Sequence, residues 1–225
     1  MRNAMILAAG HGKRMGALTQ AMPKPLLKVG GDSLIVHLLR RLAQEGVSKV
    51  VINTGRLGHL FHQQLGDGGG YGLRIIYSDE GDQTLETGGG IRRALPWLGQ
   101  DGFIVVNGDL WCDYPFARLR LPKASLAHLV LVPNPPHHPD GDFCLDDGWI
   151  NSYGKPRYCF SGIGIFHPRL FLSTSEAHFP LAGLLRNAAA RHEVSGELYQ
   201  GIWLDIGTPE RLEQLNLEFS LSSDR

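Results

Sequence analysis

The chain has 225 residues, 43% of them hydrophobic and 20% charged, with 22 basic side chains cancelled by 22 acidic ones. That fits one domain with an ordinary core and excludes an overall electrostatic footprint for nucleic acid, while leaving room for a local cationic cleft. Three cysteines without CxxC spacing exclude a complete disulfide framework and a four-cysteine zinc site. No apolar run approaches the roughly 20 residues of a membrane span, and Ala4 to Ala9 is too brief for a signal sequence, so a cytoplasmic location is expected.

Met5-Ile6-Leu7-Ala8 reads as a buried strand running into Gly10. A helix is predicted over 33–45: Ser33 can cap it, Leu34, Leu38, Leu42 and Ile35, Leu39 repeat at helical spacing, and Gly46 stands just beyond its end. Lys49 to Asn53 is a β-branched strand, Leu57 to Leu65 a second helix, and Leu73 to Tyr77 a third strand. A helix from Thr87 to Leu98, with Pro96 near its end, precedes the strand Phe103 to Val106. Continuous apolar strands alternating with helices imply a mostly parallel sheet covered on both faces, with ligands beyond the carboxyl ends of its strands.

The second half is less regular. Leu126 to Val132 is strand-like and enters Pro133-Asn134-Pro135-Pro136-His137-His138-Pro139-Asp140-Gly141, a loop or lid because proline removes ladder donors. The histidine pair has the chemistry of metal ligands, but no third ligand stands at a regular spacing, so a solvated loop is expected. Phe143 to Leu145 and Trp149-Ile150 flank Asp146-Asp147-Gly148 as a hairpin. Gly162 to Phe166 is another buried strand, Leu181 to Ala190 an apolar helix, and Pro209 at a first helical position opens a final helix through Phe219. With no internal repeat and no Gly/Ser-rich linker, residues 1–225 are expected to form a single domain.

Five short segments carry the chemistry. The first strand leads into Ala9-Gly10-His11-Gly12-Lys13-Arg14-Met15-Gly16, where glycines let backbone N–H groups approach an anion and two cations add charge. It is neither of the two familiar phosphate loops: Met15 stands where GxGxxG needs glycine, and Arg14 where the Walker pattern needs Ser or Thr. Pro23-Lys24-Pro25 presents an ammonium from a stiff segment. Glu86-Thr87-Gly88-Gly89-Gly90 is a second glycine-rich turn ahead of a helix. Asn107-Gly108-Asp109 ends the fourth strand, and Asp205 lies in Trp203-Leu204-Asp205-Ile206-Gly207-Thr208-Pro209, either a turn former or a partner of Asp109 in holding a divalent ion by oxygen ligands.

In this order LAAGHGKRM, PKPLL, ETGGGI, NGD and WLDIGTPERL span nearly the whole chain, which resembles the sugar-1-phosphate nucleotidyltransferases. The ETGGG form of the second loop, the NGDLW segment and the compact length are most similar to the bacterial enzymes that transfer uridylyl groups to N-acetylmuramate 1-phosphate in peptidoglycan recycling. The resemblance implies a Rossmann-like three-layer α/β sandwich with a mostly parallel mixed central sheet, residues 1–110 binding the nucleotide and 111–225 the sugar through a small hairpin and loop region.

It further implies that Ala8, Ala9, Gly10, His11, Gly12 and Lys13 cradle the nucleoside triphosphate, with UTP favoured. Arg14 and Lys24 would neutralise its phosphates, Lys24 at the α-phosphate, and Glu86, Thr87, Gly88 and Asn107 would line the nucleoside. Asp109 and Asp205 would hold Mg2+. Gly141, Asp142, Lys155 and Gly162 would bind the sugar, Lys155 at its phosphate. Two departures stand out. Gly154 replaces the acid that precedes the Lys-Pro pair in relatives, and Gly16-Ala17 replaces Arg-Pro after the first loop, which predicts a more mobile loop.

Transfer of this kind needs no catalytic base. A sugar phosphate has a second pKa near ~6 and is largely dianionic at neutral pH. Two anions must be brought together and the leaving diphosphate stabilised, which is work for cations, backbone donors and a metal ion. Guanylyl transfer to mannose 1-phosphate, uridylyl or thymidylyl transfer to glucose 1-phosphate, and a non-catalytic nucleotide-sugar sensor are the other readings the sequence leaves open. A monomer without nucleic-acid or membrane partners is expected.

Overall fold

The computed structural model describes residues 2–223. The first half runs β1 (Arg2–Leu7), β2 (Lys28–Val29), β3 (Asp32–Ser33), α1 (Leu34–Gln44), β4 (Val47–Thr54), α2 (His59–Leu65), β5 (Arg74–Asp79), α3 (Glu86–Leu98), β6 (Phe103–Asn107) and β7 (Leu110–Cys112). The second half runs β8 (Ala127–Val132), β9 (Phe143–Asp146), β10 (Trp149–Asn151), β11 (Arg157–Phe166), α4 (Leu181–Ala190), β12 (Val194–Leu198), β13 (Trp203–Asp205) and α5 (Pro209–Ser223).

One nine-stranded sheet threads both halves in the order β5-β4-β1-β6-β11-β8-β12-β10-β9. The pairs β5–β4, β4–β1, β1–β6 and β12–β8 are parallel, whereas β11 lies antiparallel between β6 and β8. Two-residue alternation sorts the strands' side chains onto two faces. Ala4, Ile6, Val50, Ile52, Ile104 and Val106 pack with Ile35, Leu38, Leu39 and Leu42 of α1 and with Phe61 of α2. Their neighbours Met5, Val51, Phe103 and Val105 pack on the opposite side with Ile91 and Ala94 of α3 and Leu184, Leu185 and Ala188 of α4. These are the three layers expected, a mixed sheet between helices; it is parallel across β5, β4, β1 and β6 and antiparallel through most of the second half, where the hairpin and β11 reverse the chain.

The hairpin of β9 and β10 turns at Asp147 and Gly148, both with positive φ (44° and 78°), as a two-residue turn of primed type requires. The start of β11 then pairs back onto β9, with Tyr158 opposite Phe143. The strands β11, β8, β12, β10 and β9 therefore close on themselves. Strand β12 is absent from the sequence reading because Val-Ser-Gly-Glu-Leu is short and only half apolar; Gly196 is needed there, since a Cβ would stand 2.5 Å from Ile150 Cδ1.

A small ribbon of β13 on β7 also went unforeseen, because three residues give no readable period. Helix α5 is closed onto the body by a separate apolar cluster of Val29, Leu34, Ile206 and Leu215. Ser33 occupies the N-cap position of α1, but its side chain makes no capping bond; it is buried as the last residue of β3. No helix among the described residues is long and apolar enough to cross a membrane.

Inside the closed half, His128 Nδ1 lies 2.9 Å from Ser195 Oγ. Desolvation lowers its pKa from 6.5, against a smaller opposing pull from Glu197. The folded protein thus holds this ring neutral at pH values where the unfolded chain takes up a proton. The contribution is present above the unfolded-state pKa and is lost as pH falls through it toward the folded value. Between about pH 7.5 and about pH 5.5, urea unfolding of the wild type is expected to lose more stability than that of His128→Gln. Equal losses in the two proteins would remove His128 as a source of acid sensitivity.

Candidate active site

The carboxyl ends of β5, β4, β1 and β6 open onto a cavity of about 380 Å³. Leu7 to Gly10 and Gly12 to Arg14 form one wall, Lys24 and Pro25 the floor, Asn53, Glu80, Thr84, Glu86 and Thr87 a second wall, and Asn107, Asp109 and Gly207 the far side. The first loop leaves β1 through buried Ala8 and Ala9 and turns at Gly12, whose φ is +62°. A Cβ on Gly12 would approach Thr19 Cγ2 at 3.0 Å, so glycine is required both for the backbone and for space.

The segment that follows, expected to be loose, is hydrogen-bonded. Thr19 Oγ1 donates to Gly12 O at 3.0 Å, Met15 N–H to Gly12 O at 2.8 Å, and Met15 is buried. Gly16 supplies the left-handed kink between two short turns (φ 57°).

Lys24 is only 8% exposed. Its ammonium forms an ion pair with the Asp109 carboxylate at the cavity floor. Pro23 and Pro25 bracket it in a short 3-10 turn, which fixes the direction from which the charge enters. Asp109 follows β6, and its carbonyl accepts from Ile206 N–H at 3.0 Å. The β7–β13 ribbon thereby brings Asp205, from nearly one hundred residues away, beside Asp109.

Asp205 accepts from Arg211 Nη1 at 2.7 Å and lies 3.5 Å from His137 Nε2; Arg211 Nη2 also meets His137 Nδ1 at 2.6 Å. A Cβ at Gly207 would stand 3.1 Å from Asp205 Oδ2, 3.2 Å from Arg211 Nη1 and 3.3 Å from Arg14 Nη1, so Arg14 joins this group. Each carboxylate is thus engaged by a protein cation. The two supply only oxygen donors, the chemistry that suits a hard divalent ion.

Several sequence-assigned residues fall elsewhere. His11 does not line the cavity, and neither do Gly88, Gly141, Asp142, Lys155, Gly162 or Asp205 itself. Glu86 to Gly90 is not a turn ahead of a helix but the first turn and a half of α3. Its glycines make room for a neighbouring chain segment: Gly88 and Gly89 donate to Phe179 O at 3.0 and 3.2 Å, and a Cβ on Gly88 would run into the Phe179 ring. Gly162 has φ 78° and lies against the Asn107 side chain, a close approach rather than a ligand contact. Gly141 is buried, with Asn134 Oδ1 2.7 Å and Tyr158 N 2.9 Å from where a Cβ would stand. Lys155 is exposed on the turn before β11. The histidine loop is not simply solvated: His137 reaches Asp205, and His138 reaches Asp142.

The second wall holds what sequence reading missed. Asn53, 3% exposed at the end of β4, accepts from Ala8 N–H at 2.8 Å and donates to Glu80 Oε1 at 2.7 Å; Glu80 Oε2 accepts from Leu85 N–H at 2.7 Å. This chain ties the first loop to the start of α3. A buried Asn in an otherwise apolar strand end was the available signal.

A family model described as nucleotidyl transferase matches residues 3–143. This chain belongs to the nucleotidyl transferase family. The N-acetylmuramate alpha-1-phosphate uridylyltransferase of Neisseria meningitidis is 46% identical over 220 residues, covering 94% of this chain and 95% of that protein. The protein of the same name from Caulobacter vibrioides is 33% identical, covering 92% of each. A mannose-1-phosphate guanylyltransferase of Mycobacterium tuberculosis is 37% identical over 52% of this chain and 32% of its own length. HddC from Yersinia pseudotuberculosis, solved with GMP-PN, shares the fold at a TM-score of 0.80 and 20% identity, covering 97% of this chain and all of that one.

The Asn53–Glu80 bond is tested by charge. Asn53→Asp keeps an acceptor for Ala8 but sets two carboxylates face to face, an expected loss of about 1–3 kcal/mol in thermal or urea unfolding. Adding Glu80→Gln should restore most of it. A double variant no more stable than Asn53→Asp alone would show that the pair is not coupled as described.

Proposed function

We propose that the protein transfers a uridylyl group from UTP to N-acetylmuramate 1-phosphate, releasing diphosphate, with Mg2+ as the metal. The observation that carries this reading is the meeting of Arg14, Lys24 and Asp109 at the ends of four adjacent strands, with Asp205 and Arg211 at their border. Similarity along almost the whole length to two uridylyltransferases of that name supports the choice of base and sugar. On this reading the chain works in the cytoplasm as a monomer, residues 1–110 taking the nucleotide and 111–225 the sugar.

The residues divide the work by charge and direction. Backbone amides of Gly10, Gly12 and Lys13 face the triphosphate, and Lys13 and Arg14 offset its charge. Lys24, held stiffly at the floor, faces the α-phosphate, where an attacking phosphate oxygen and the departing diphosphate must lie in line. Asn107, Glu86 and Thr87 line the nucleoside, with Asn53 and Glu80 fixing that wall. Asp109 and Asp205 would hold Mg2+, which supplies Lewis-acid stabilisation of the developing charge. Because the attacking dianion needs no deprotonation, the chain's contribution is positioning and neutralisation.

Asp109 also keeps a buried ammonium company, so its removal has two effects. Asp109→Ala is expected to lower kcat by at least about 10²–10³ and also to destabilise the fold by about 1–3 kcal/mol, through the unpaired Lys24. Asp109→Asn should retain more stability yet turn over as poorly. Near-wild-type turnover of Asp109→Asn at saturating Mg2+ would take Asp109 out of the reaction. The substrate assignment is read from diphosphate release across a grid of nucleoside triphosphates and sugar 1-phosphates. UTP with N-acetylmuramate 1-phosphate should be the best pair; GTP with mannose 1-phosphate in its place would reassign the enzyme. Nucleotide binding without diphosphate release from any pair would leave a sensor.

A further inference from the structure

Asp205 ends β13, and Arg211 stands in the first turn of α5. The turn between them folds the helix back over the strand end, with Gly207 N–H donating to Asp205 O at 2.8 Å. One guanidinium nitrogen then holds the same residue twice. Arg211 Nη1 donates to Asp205 Oδ1 at 2.7 Å and to the Asp205 carbonyl at 3.2 Å. The other terminal nitrogen, Nη2, donates to His137 Nδ1 at 2.6 Å. We infer that Arg211 is a positioning residue for the metal ion: it fixes the Asp205 carboxylate and straps the proline-rich loop to it through His137. The inference rests on the metal role proposed above for Asp205.

A carboxylate in this place needs a hold. Strand β13 is only three residues long, and the terminal torsion of an aspartate is broad and two-fold, with no steep preference of its own. A planar guanidinium that bonds both the side-chain and the main-chain oxygen selects one setting. Among the described residues, Asp205 Oδ2 has no hydrogen-bond or ion-pair partner. It stands on the side of Gly207, which lines the cavity. The oxygen facing the ion is therefore the one that Arg211 leaves open. Asp109 repeats the arrangement, with Oδ2 taken by Lys24.

The second half of the contact reaches the loop. An arginine can only donate, so His137 Nδ1 accepts and the ring proton sits on Nε2. That nitrogen lies 3.5 Å from Asp205 Oδ1, and the imidazole thus turns both of its nitrogens to the pair. The segment carrying it is itself a closed turn, since His138 N–H donates to Pro135 O at 2.9 Å. A displacement of Asp205 is felt by the loop, and a displacement of the loop by Asp205.

A guanidinium beside a metal carboxylate has two opposed effects. Its charge repels an incoming cation, whereas its geometry presents the free oxygen in one direction. Arg14 and Lys24 line the cavity and Arg211 does not; its donors are turned to acceptors of the protein. The geometric effect is therefore the larger here. Removing Arg211 separates the two effects by sign: loss of charge alone would tighten metal binding, and loss of orientation weakens it.

The test uses Mn2+ as the probe, bound to the full chain without substrates and followed by loss of the free-ion electron paramagnetic resonance signal. Arg211→Ala should weaken Mn2+ by about 10–100-fold. Arg211→Lys keeps the charge and loses the planar fork, and should weaken Mn2+ as well. The amides of His138 and Gly141, bonded within the loop, should exchange hydrogen faster in Arg211→Ala and in His137→Ala than in wild type. Tighter Mn2+ binding in Arg211→Ala would reduce Arg211 to a competing charge and overturn the inference, as would unchanged loop exchange in that variant. Binding lost in Asp205→Asn but unchanged in either Arg211 variant would overturn the inference alone. Binding indifferent to Asp205→Asn would overturn it together with the metal role of Asp205.

Discussion

The ion pair between Lys24 and Asp109 ties together parts of the chain that lie far apart in sequence. A nearly buried ammonium without a counter-charge is costly, so the turn carrying Lys24 and the loop leaving β6 must meet. Once they do, Asp109 fixes the β7–β13 ribbon through its carbonyl, and the ribbon carries Asp205 and the start of α5 to the same place. A segment near the front of the chain, one from its middle and one from its end are thereby held around one small volume. The interaction is also the one an incoming metal ion and triphosphate must reorganise, since both partners are assigned to them. On the proposed function, the charges that hold the site together are the ones it would turn on its substrates.

The opposite wall works by neutral geometry. Asn53 and Glu80 transmit the position of β4 and β5 to the first loop on one side and to the start of α3 on the other. Shape there is set by the glycines of α3, which let the helix lie against residues 177–179 from the second half. A residue larger than glycine at position 88 would press on Phe179 and displace the wall, so this triplet shapes the cavity from behind.

The parallel half was legible in the sequence because its strands are apolar on both faces and its helices carry a clear stripe. The first loop, Lys24, Asn107 and Asp109 line one cavity for the same reason: they sit at the carboxyl ends of the strands, where an α/β sheet puts its ligands. The β7–β13 ribbon and β12 were not legible, being too short for a period and stabilised by partners far along the chain. Gly88, Gly141 and Gly162 do not line the cavity and lie instead against neighbouring chain segments. A glycine demanded by a neighbouring side chain looks, in one dimension, like a glycine demanded by a ligand. His137 and His138 have no regularly spaced third group in the sequence, yet they reach Asp205 and Asp142, the first brought near by the β7–β13 ribbon and the second by the return of the chain into β9.

That closure, in which β11 returns to pair with β9, also bears on what the molecule can stick to. A sheet normally ends in two strands with unpaired backbone groups, each a template for another chain. Here one end of the sheet is consumed by its own ten-residue strand β11 (Arg157–Phe166), which leaves β5 as the exposed margin. There Ile75 N–H is already taken by Asp67 O at 2.7 Å, and charged Arg74 and Asp79 stand at the two ends of the strand. Growth of the sheet by addition of a second copy is blocked on one side by the pairing of β11 with β9 and discouraged on the other by charge, a form of protection against aggregation that comes from folding the strands of the second half into a ring.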